Sequence, residues 1–240
     1  MGVIQHDFRY DGVDASAYGL VVYGGNVDEI AAKSIEAIEI PGRNGVLHLD
    51  NGRWMERTQT YMVYIPTLES ISYSGRLAWV RTTYGQRKGY LRLEDTFNPD
   101  EYSLATFTDA VAPESMAFRT KGIITLAFQC RPERFLKTGD VKLTNPGTVV
   151  NPTGMPAKPL IRVYGTGAGT LLVGDQIIYI DSINEYVDLD SDLMDAFKGH
   201  TNCNGNIRLD KFPVFEAGST GVSVTGGLTS VEVTPRWWRL

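Results

Sequence analysis

The chain has 240 residues, 42% hydrophobic and 21% charged, the ordinary range of a folded globular protein. Its formal net charge of -5, with no cluster of Lys and Arg, speaks against neutralising a row of phosphates, so no specific nucleic-acid binding is expected. No apolar run approaches a membrane span, so no membrane partner is expected, and Cys130 and Cys203 are too few for a disulfide framework or a thiolate zinc site.

At usual domain sizes of roughly 100 to 150 residues the length points to two units, although an all-β fold can run this far as one. Twenty-five glycines and eleven prolines without a fixed period point to many turns between short strands. His6, Asp7 and Arg9 stand where a secretory signal needs an unbroken apolar core, and Asn151 is followed by Pro152, which blocks glycosylation. Both favour synthesis and retention in the cytosol.

The first informative segment is 33–65. Two β-type runs flank Pro41, Gly42, Arg43, Asn44 and Gly45; Asn44 and Gly45 tolerate positive φ, so Val46–Leu49 is expected to pair back on Ile35–Ile40. A second turn is expected at Asp50, Asn51 and Gly52. Beyond it Thr58, Thr60, Met62 and Tyr64 alternate with Gln59, Tyr61, Val63 and Ile65 in a strand with one wetter face.

Pro66 ends that strand and Thr67 caps a helix whose face carries Leu68, Ile71, Gly75, Ala78 and Thr82, with Trp79 beside it, until Gly85. Strands are then expected at Tyr90–Leu93 and Tyr102–Val111, and in a run where Ile124, Leu126, Phe128 and Cys130 share a face. Five prolines, at 132, 146, 152, 156 and 159, mark a boundary that no central strand should cross. Seven short strands follow, at 160–164, 170–173, 177–180, 186–189, 206–208, 221–224 and 229–234, the pattern of a β-sandwich.

Candidate chemistry is sparse. Gly165, Gly167 and Gly169 resemble a phosphate loop, but an apolar β-type segment follows where a dinucleotide loop needs a helix, so a turn is preferred. Asp188, Asp190 and Asp192 have calcium-loop spacing, yet Leu193 and Gly199 occupy the bend and bidentate-ligand positions; a solvated acidic edge is preferred. His6, His48 and His200 are scattered, and His200 with Cys203 sits in a turn-like Asn-rich stretch. No metal, cofactor or catalytic residue is assigned. Trp237 and Trp238 either face the core or offer a stacking surface, packing being preferred.

Four stretches together resemble one family. They are the opening Phe8, Tyr10, Gly12, Tyr18, Gly19 and Leu20 with the hairpin Pro41–Gly45; Phe128–Phe135; Asn145–Gly147 with Pro156–Pro159 and Gly165–Gly167; and Phe212, Pro213, Gly218, Pro235, Arg236 and Trp237. Their order over more than 200 residues resembles the siphophage distal tail proteins, which form the ring joining tail tube to tip or baseplate. The resemblance implies a mainly β chain: residues 1–135 a ring-forming β-sandwich or barrel-like domain with one α-helix and an extended hairpin, residues 136–240 a galectin-like β-sandwich. It also implies a structural virion protein and no enzyme. The expected assembly is a homo-hexamer around a DNA channel, made in the bacterial cytoplasm and ending in the virion tail. The implied partners are the tail tube protein, the tape-measure protein and the tail-associated tip or baseplate hub protein, with Pro41, Gly42, Arg43, Asn44 and Gly45 at the ring interface. The longer relatives' added carbohydrate-binding module is absent. Two other classes stay in view: a host-surface carbohydrate-binding module using Trp237 and Trp238, and a tail hydrolase, for which no defensible pair of carboxylates exists.

Overall fold

A computed structural model describes residues 6–22, 27–65, 73–108 and 122–240. It divides into two units, Met1–Arg134 with Leu240, and Phe135–Arg239. The described residues are mainly β with one α-helix, as the sequence implies: a curled N-terminal sheet, a separate hairpin and a C-terminal β-sandwich.

The first unit contains β1 (Phe8–Tyr10), β2 (Val13–Asp14), β3 (Val21–Val22), β4 (Val27–Asp28), β5 (Lys33–Glu39), β6 (Val46–Trp54), β7 (Arg57–Ile65), α1 (Tyr73–Thr83), β8 (Leu91–Asp95), β9 (Glu101–Phe107) and most of β10 (Gly122–Leu136). The sheet runs β2-β1-β8-β9-β10-β7-β3, with β4 also on β7. β7 alternates strictly, Arg57, Gln59, Tyr61, Val63 and Ile65 buried and the residues between them half-buried. β10 pairs with it from Gly122↔Ile65 to Cys130↔Arg57.

Aromatic rings fill the space beneath. Phe8 stacks on Tyr61 at 4.5 Å between centroids, and the edge of Phe128 meets Phe8, Tyr10 and Tyr61 at 5.0–5.9 Å. The start of β7 buries polar groups as well. The Arg57 guanidinium donates to Gln59 Oε1 (2.9 Å) and to Ser103 Oγ, while Gln59 Nε2 and the Tyr61 hydroxyl donate to Asp95 Oδ2 (3.0 and 2.8 Å). Each of these pairings answers a group that burial would otherwise penalise.

Two expectations here are corrected. The helix buries Arg76, Leu77, Val80 and the following Tyr84, whereas Gly75, Ala78 and Thr82 are exposed. The stripe Leu77, Val80, Tyr84 at i, i+3, i+7 is the one the core accepts. Thr67, Leu68 and Ile71 lie outside the described residues, as do residues 109–111 of the strand expected to reach Val111. Nor does Pro132 end a strand: β10 passes through it to Leu136, and because the ladder with β7 stops at Cys130, the missing N–H costs that ladder nothing.

The second unit holds β11 (Leu143–Thr144), β12 (Thr148–Asn151), β13 (Leu160–Val173), β14 (Gln176–Asp190), β15 (Asp195–Lys198), β16 (Thr201–Asn202), β17 (Ile207–Arg208), β18 (Gly218–Thr234) and β19 (Trp238–Arg239). Its order is β11-β18-β13-β14-β15-β16, with β12 on β18 and β17 on β14. Six of the expected short strands are therefore the halves of three long ones, β13, β14 and β18. The glycines read as a turn form a bulge, with the register of β13 shifting between Gly165 and Gly169 against β18 and between Gly167 and Gly169 against β14. A Cβ on Gly165 would lie 2.4 Å from Gly227 O, and one on Gly227 would lie 2.3 Å from Thr166 O, so the two backbones touch where only glycine fits. Residues on both sides of the bulge, including Ile161, Val163, Leu171 and Val173, enter one core with Val187, Phe215, Val233 and Trp237.

Candidate functional site

The segment 33–54 stands apart, because β5 and β6 form a two-stranded sheet of their own. Its register is the expected one, Glu36↔Leu49, Ala37↔His48, Ile38↔Leu47 and Glu39↔Val46. The reversal is built differently from the expectation. Arg43 N–H donates to Ile40 O at 3.1 Å across Pro41 and Gly42, and Gly42 has φ +77°, so the chain turns in a type II arrangement. Proline presets φ at the first central position and glycine supplies the positive φ at the second. Gly45 adds a second positive φ, +85°, but Asn44 does not. All five tip residues, Pro41, Gly42, Arg43, Asn44 and Gly45, are exposed.

The expected second turn is a distortion inside a continuous strand. β6 runs through Asp50, Asn51 and Gly52, and the pairing slips between Lys33 and Ile35. Asp50 Oδ1 accepts the Gly52 N–H at 2.9 Å, Lys33 Nζ donates to Asp50 Oδ2 at 3.1 Å, and Asn51 Nδ2 donates to Ser34 Oγ at 3.2 Å. The Gly52 N–H first, and Lys33 second, hold the Asp50 carboxyl below the usual carboxylate range. Met55 N–H donates to Ala32 O at 2.8 Å and closes the root, where Ala31 and Ser34 are buried.

Beyond that root no described residue buries the arm. One face carries Ile38, Leu47 and Leu49, which are 39%, 48% and 48% exposed; the other carries Ile35 and Val46. Among the described residues no strand pairs with either outer edge. An isolated two-stranded hairpin is marginal in water, and an apolar one with open edges is a template for another chain. The arrangement offers backbone hydrogen bonds and aliphatic surface, the means of protein association and not of catalysis.

The other sequence candidates are absorbed by packing. Asp188 and Asp190 form no solvated acidic edge; both are buried and claimed by arginines. Arg162 meets Asp188 at 2.7 and 2.8 Å and stacks on Tyr186, while Arg236 meets Asp190 at 2.7 and 2.8 Å. Burial opposes the Asp190 charge, but the Arg236 hydrogen bonds and charge, with the N–H groups of Leu193 and Asp192, outweigh it and hold the pKa below the ordinary carboxylate range. Among the described residues no three His, Cys, Asp or Glu side chains gather into a metal-binding group. His6 stacks on Phe97 at 4.0 Å, His48 lies on β6, and His200 is exposed in a turn. Cys203 Sγ lies 3.6 Å from Thr201 O, and Cys130 is fully buried. Trp237 is buried at 5% exposure, and the half-buried Trp238 donates its indole N–H to Pro156 O at 2.8 Å. The packing reading holds, and the two rings do not form an open stacking platform.

No protein-family model matches the chain, and no curated protein matches it. Solved structures do. The Dit (gp 19.1) protein of phage SPP1, described as a paradigm of the hub adsorption apparatus in phages infecting Gram-positive bacteria, superposes with a TM-score of 0.74 at 12% identity, covering 98% of this chain and 99% of that one. Chains of the phage P2 baseplate in its activated conformation match at 0.54 with Ca (9% identity) and 0.53 with Sr (12%), each covering 97% of both chains. The likeness to distal tail proteins read from the sequence is thus borne out as likeness of fold: from end to end, this chain has the architecture of the SPP1 Dit protein.

Proposed function

We propose that this chain is a structural protein of a siphophage tail, a subunit of a hexameric ring that joins the tail tube to the tip or baseplate and leaves a channel for DNA. The observation that carries the reading is the uncovered aliphatic arm on a fold that matches Dit over its whole length. A ring of identical subunits needs a heterologous contact that closes, and a hairpin with two free edges and apolar faces supplies one half of such a joint. The tip Pro41, Gly42, Arg43, Asn44 and Gly45 then lies at the ring interface. The tail tube, tape-measure and hub proteins are the partners above, within and below the ring, and the virion tail is the place of action.

The test is native mass spectrometry and negative-stain imaging of the purified chain, alone and with its tube and hub partners. Six-fold rings are expected, and the double variant Ile38→Asp, Leu47→Asp should abolish them while the subunit still melts cooperatively. Rings that persist unchanged in that variant would remove the arm from the interface. Particles that remain single with every partner present would remove the ring itself.

A further inference from the structure

The second unit carries a groove that the ring reading does not use. β17 pairs with β14 only at Tyr179↔Arg208 and Ile180↔Ile207, so the start of β14 and the segment 209–211 diverge without a ladder between them. An open groove of about 820 Å³ lies there, within the size range of small-molecule sites. Ile177 and Tyr179 alternate with the buried Ile178 and Ile180, and they show 49% and 45% of their surface to solvent.

The charges decide the ligand class. Arg208 lies over the Tyr179 ring at 5.3 Å and is gripped by both Asp181 oxygens at 2.6–3.1 Å, so its charge is already matched. The remaining charged groups of the lining, Asp175, Asp210 and Lys211, leave an acidic excess that disfavours a phosphate or sulfate. A lipid chain is disfavoured as well, because Asp175, Arg208, Asp210 and Lys211 interrupt the apolar lining of Ile177, Ile207 and Leu209. Gln176, also in the lining, keeps its Oε1 shielded from solvent, so the acceptors a ligand can reach are the exposed carboxylates of Asp175 and Asp210. An exposed aromatic ring flanked by hydrogen-bond acceptors, without net positive charge, matches a neutral molecule with apolar C–H faces and hydroxyl edges.

We propose that this groove binds a neutral saccharide, Tyr179 stacking against the C–H face of a sugar ring while Asp175 and Asp210 accept its hydroxyl protons. The site is separate from Trp237 and Trp238 and does not depend on the ring reading. The experiment is saturation-transfer NMR on the full chain with neutral di- and trisaccharides of glucose, galactose and N-acetylglucosamine at millimolar concentration. Transfer to ring C–H protons of at least one sugar is expected, with affinity roughly tenfold weaker in Tyr179→Ala and also weakened in Asp210→Asn. Tyr179→Phe keeps the ring and retains binding, while Tyr179→Leu keeps bulk and loses it, which separates stacking from folding. Silence from every sugar, undiminished binding in Tyr179→Leu, or binding confined to sulfated analogues would each overturn the assignment.

Discussion

The hairpin arm and the long strands of the second unit are built from the same material and meet opposite fates. Leu47 and Leu49 flank His48 much as Ile161 and Val163 flank Arg162, yet the first pair stands in solvent and the second is buried. What separates them is whether a second layer covers the face. In β13 the glycine bulge brings both halves of the strand into one core, whereas the arm leaves its root at Ala31 and Ser34 and meets no second layer among the described residues. Apolar alternation therefore reports that a face will be covered, without saying by which chain.

Matched truncations measure that difference. Ile161→Ala, at a site with no exposed surface, is expected to cost about 3 kcal/mol in urea unfolding, through lost transfer energy and the cavity left behind. A loss below about 1 kcal/mol would mean that the two halves of the sandwich are less tightly joined than their shared core implies. Next comes the bend: Gly165→Ala should cost about 2 kcal/mol, because the new methyl meets backbone atoms of Gly227 and Leu228 that have no side-chain freedom to yield. An unchanged melting temperature would show that β13 and β18 can part at the bulge.

Asp190→Asn is expected to cost about 2 kcal/mol, less than a fully buried ion pair would, since about a quarter of the Arg236 side chain remains exposed. The sign of its pH dependence follows from the depressed Asp190 pKa. The stabilisation is complete above the unfolded carboxylate value near ~4 and disappears as pH falls through the lower, folded value. Urea melts at descending pH should thus bring wild type and Asp190→Asn together in acid; a gap that stays constant would assign the effect to packing. The smallest effect belongs to the arm. Ile38→Ala should change subunit stability by less than about 0.5 kcal/mol while weakening self-association, read by mass photometry. A core-sized loss of stability would place that side chain against its own subunit.

Much of this contrast was legible in the residues. Pro41 to Gly45 between two β-type runs marked a hairpin, the alternation along β7 marked a strand with one wetter face, and the four scattered stretches pointed to the fold. The rest depended on register and context. Gly165 to Gly169 reads as a turn because local chemistry does not distinguish a reversal from a bulge; only the approach of β18 does. Asp188 and Asp190 read as solvated because their arginines come from positions 162 and 236, cross-strand and end-of-chain partners that no short window contains. The helix face was misassigned since its N-terminal stretch drew the stripe toward Gly75 and Ala78, while Leu77, Val80 and Tyr84 supply the packing. The exposure of the arm left no local mark, for its pattern is that of any half-covered strand.

The second unit begins and ends at the same place. Leu136 N–H donates to Trp237 O, Arg236 N–H donates to Gly139 O, and the Gly139 Cα lies so close to the Trp237 backbone that a methyl would clash. Those bonds join residues about a hundred positions apart, so the unit must close a long loop before it can finish folding. On the ribosome this closure waits for residues 236–239 to emerge, and a nascent chain stalled before them should be cut by protease in the second unit more readily than the finished chain.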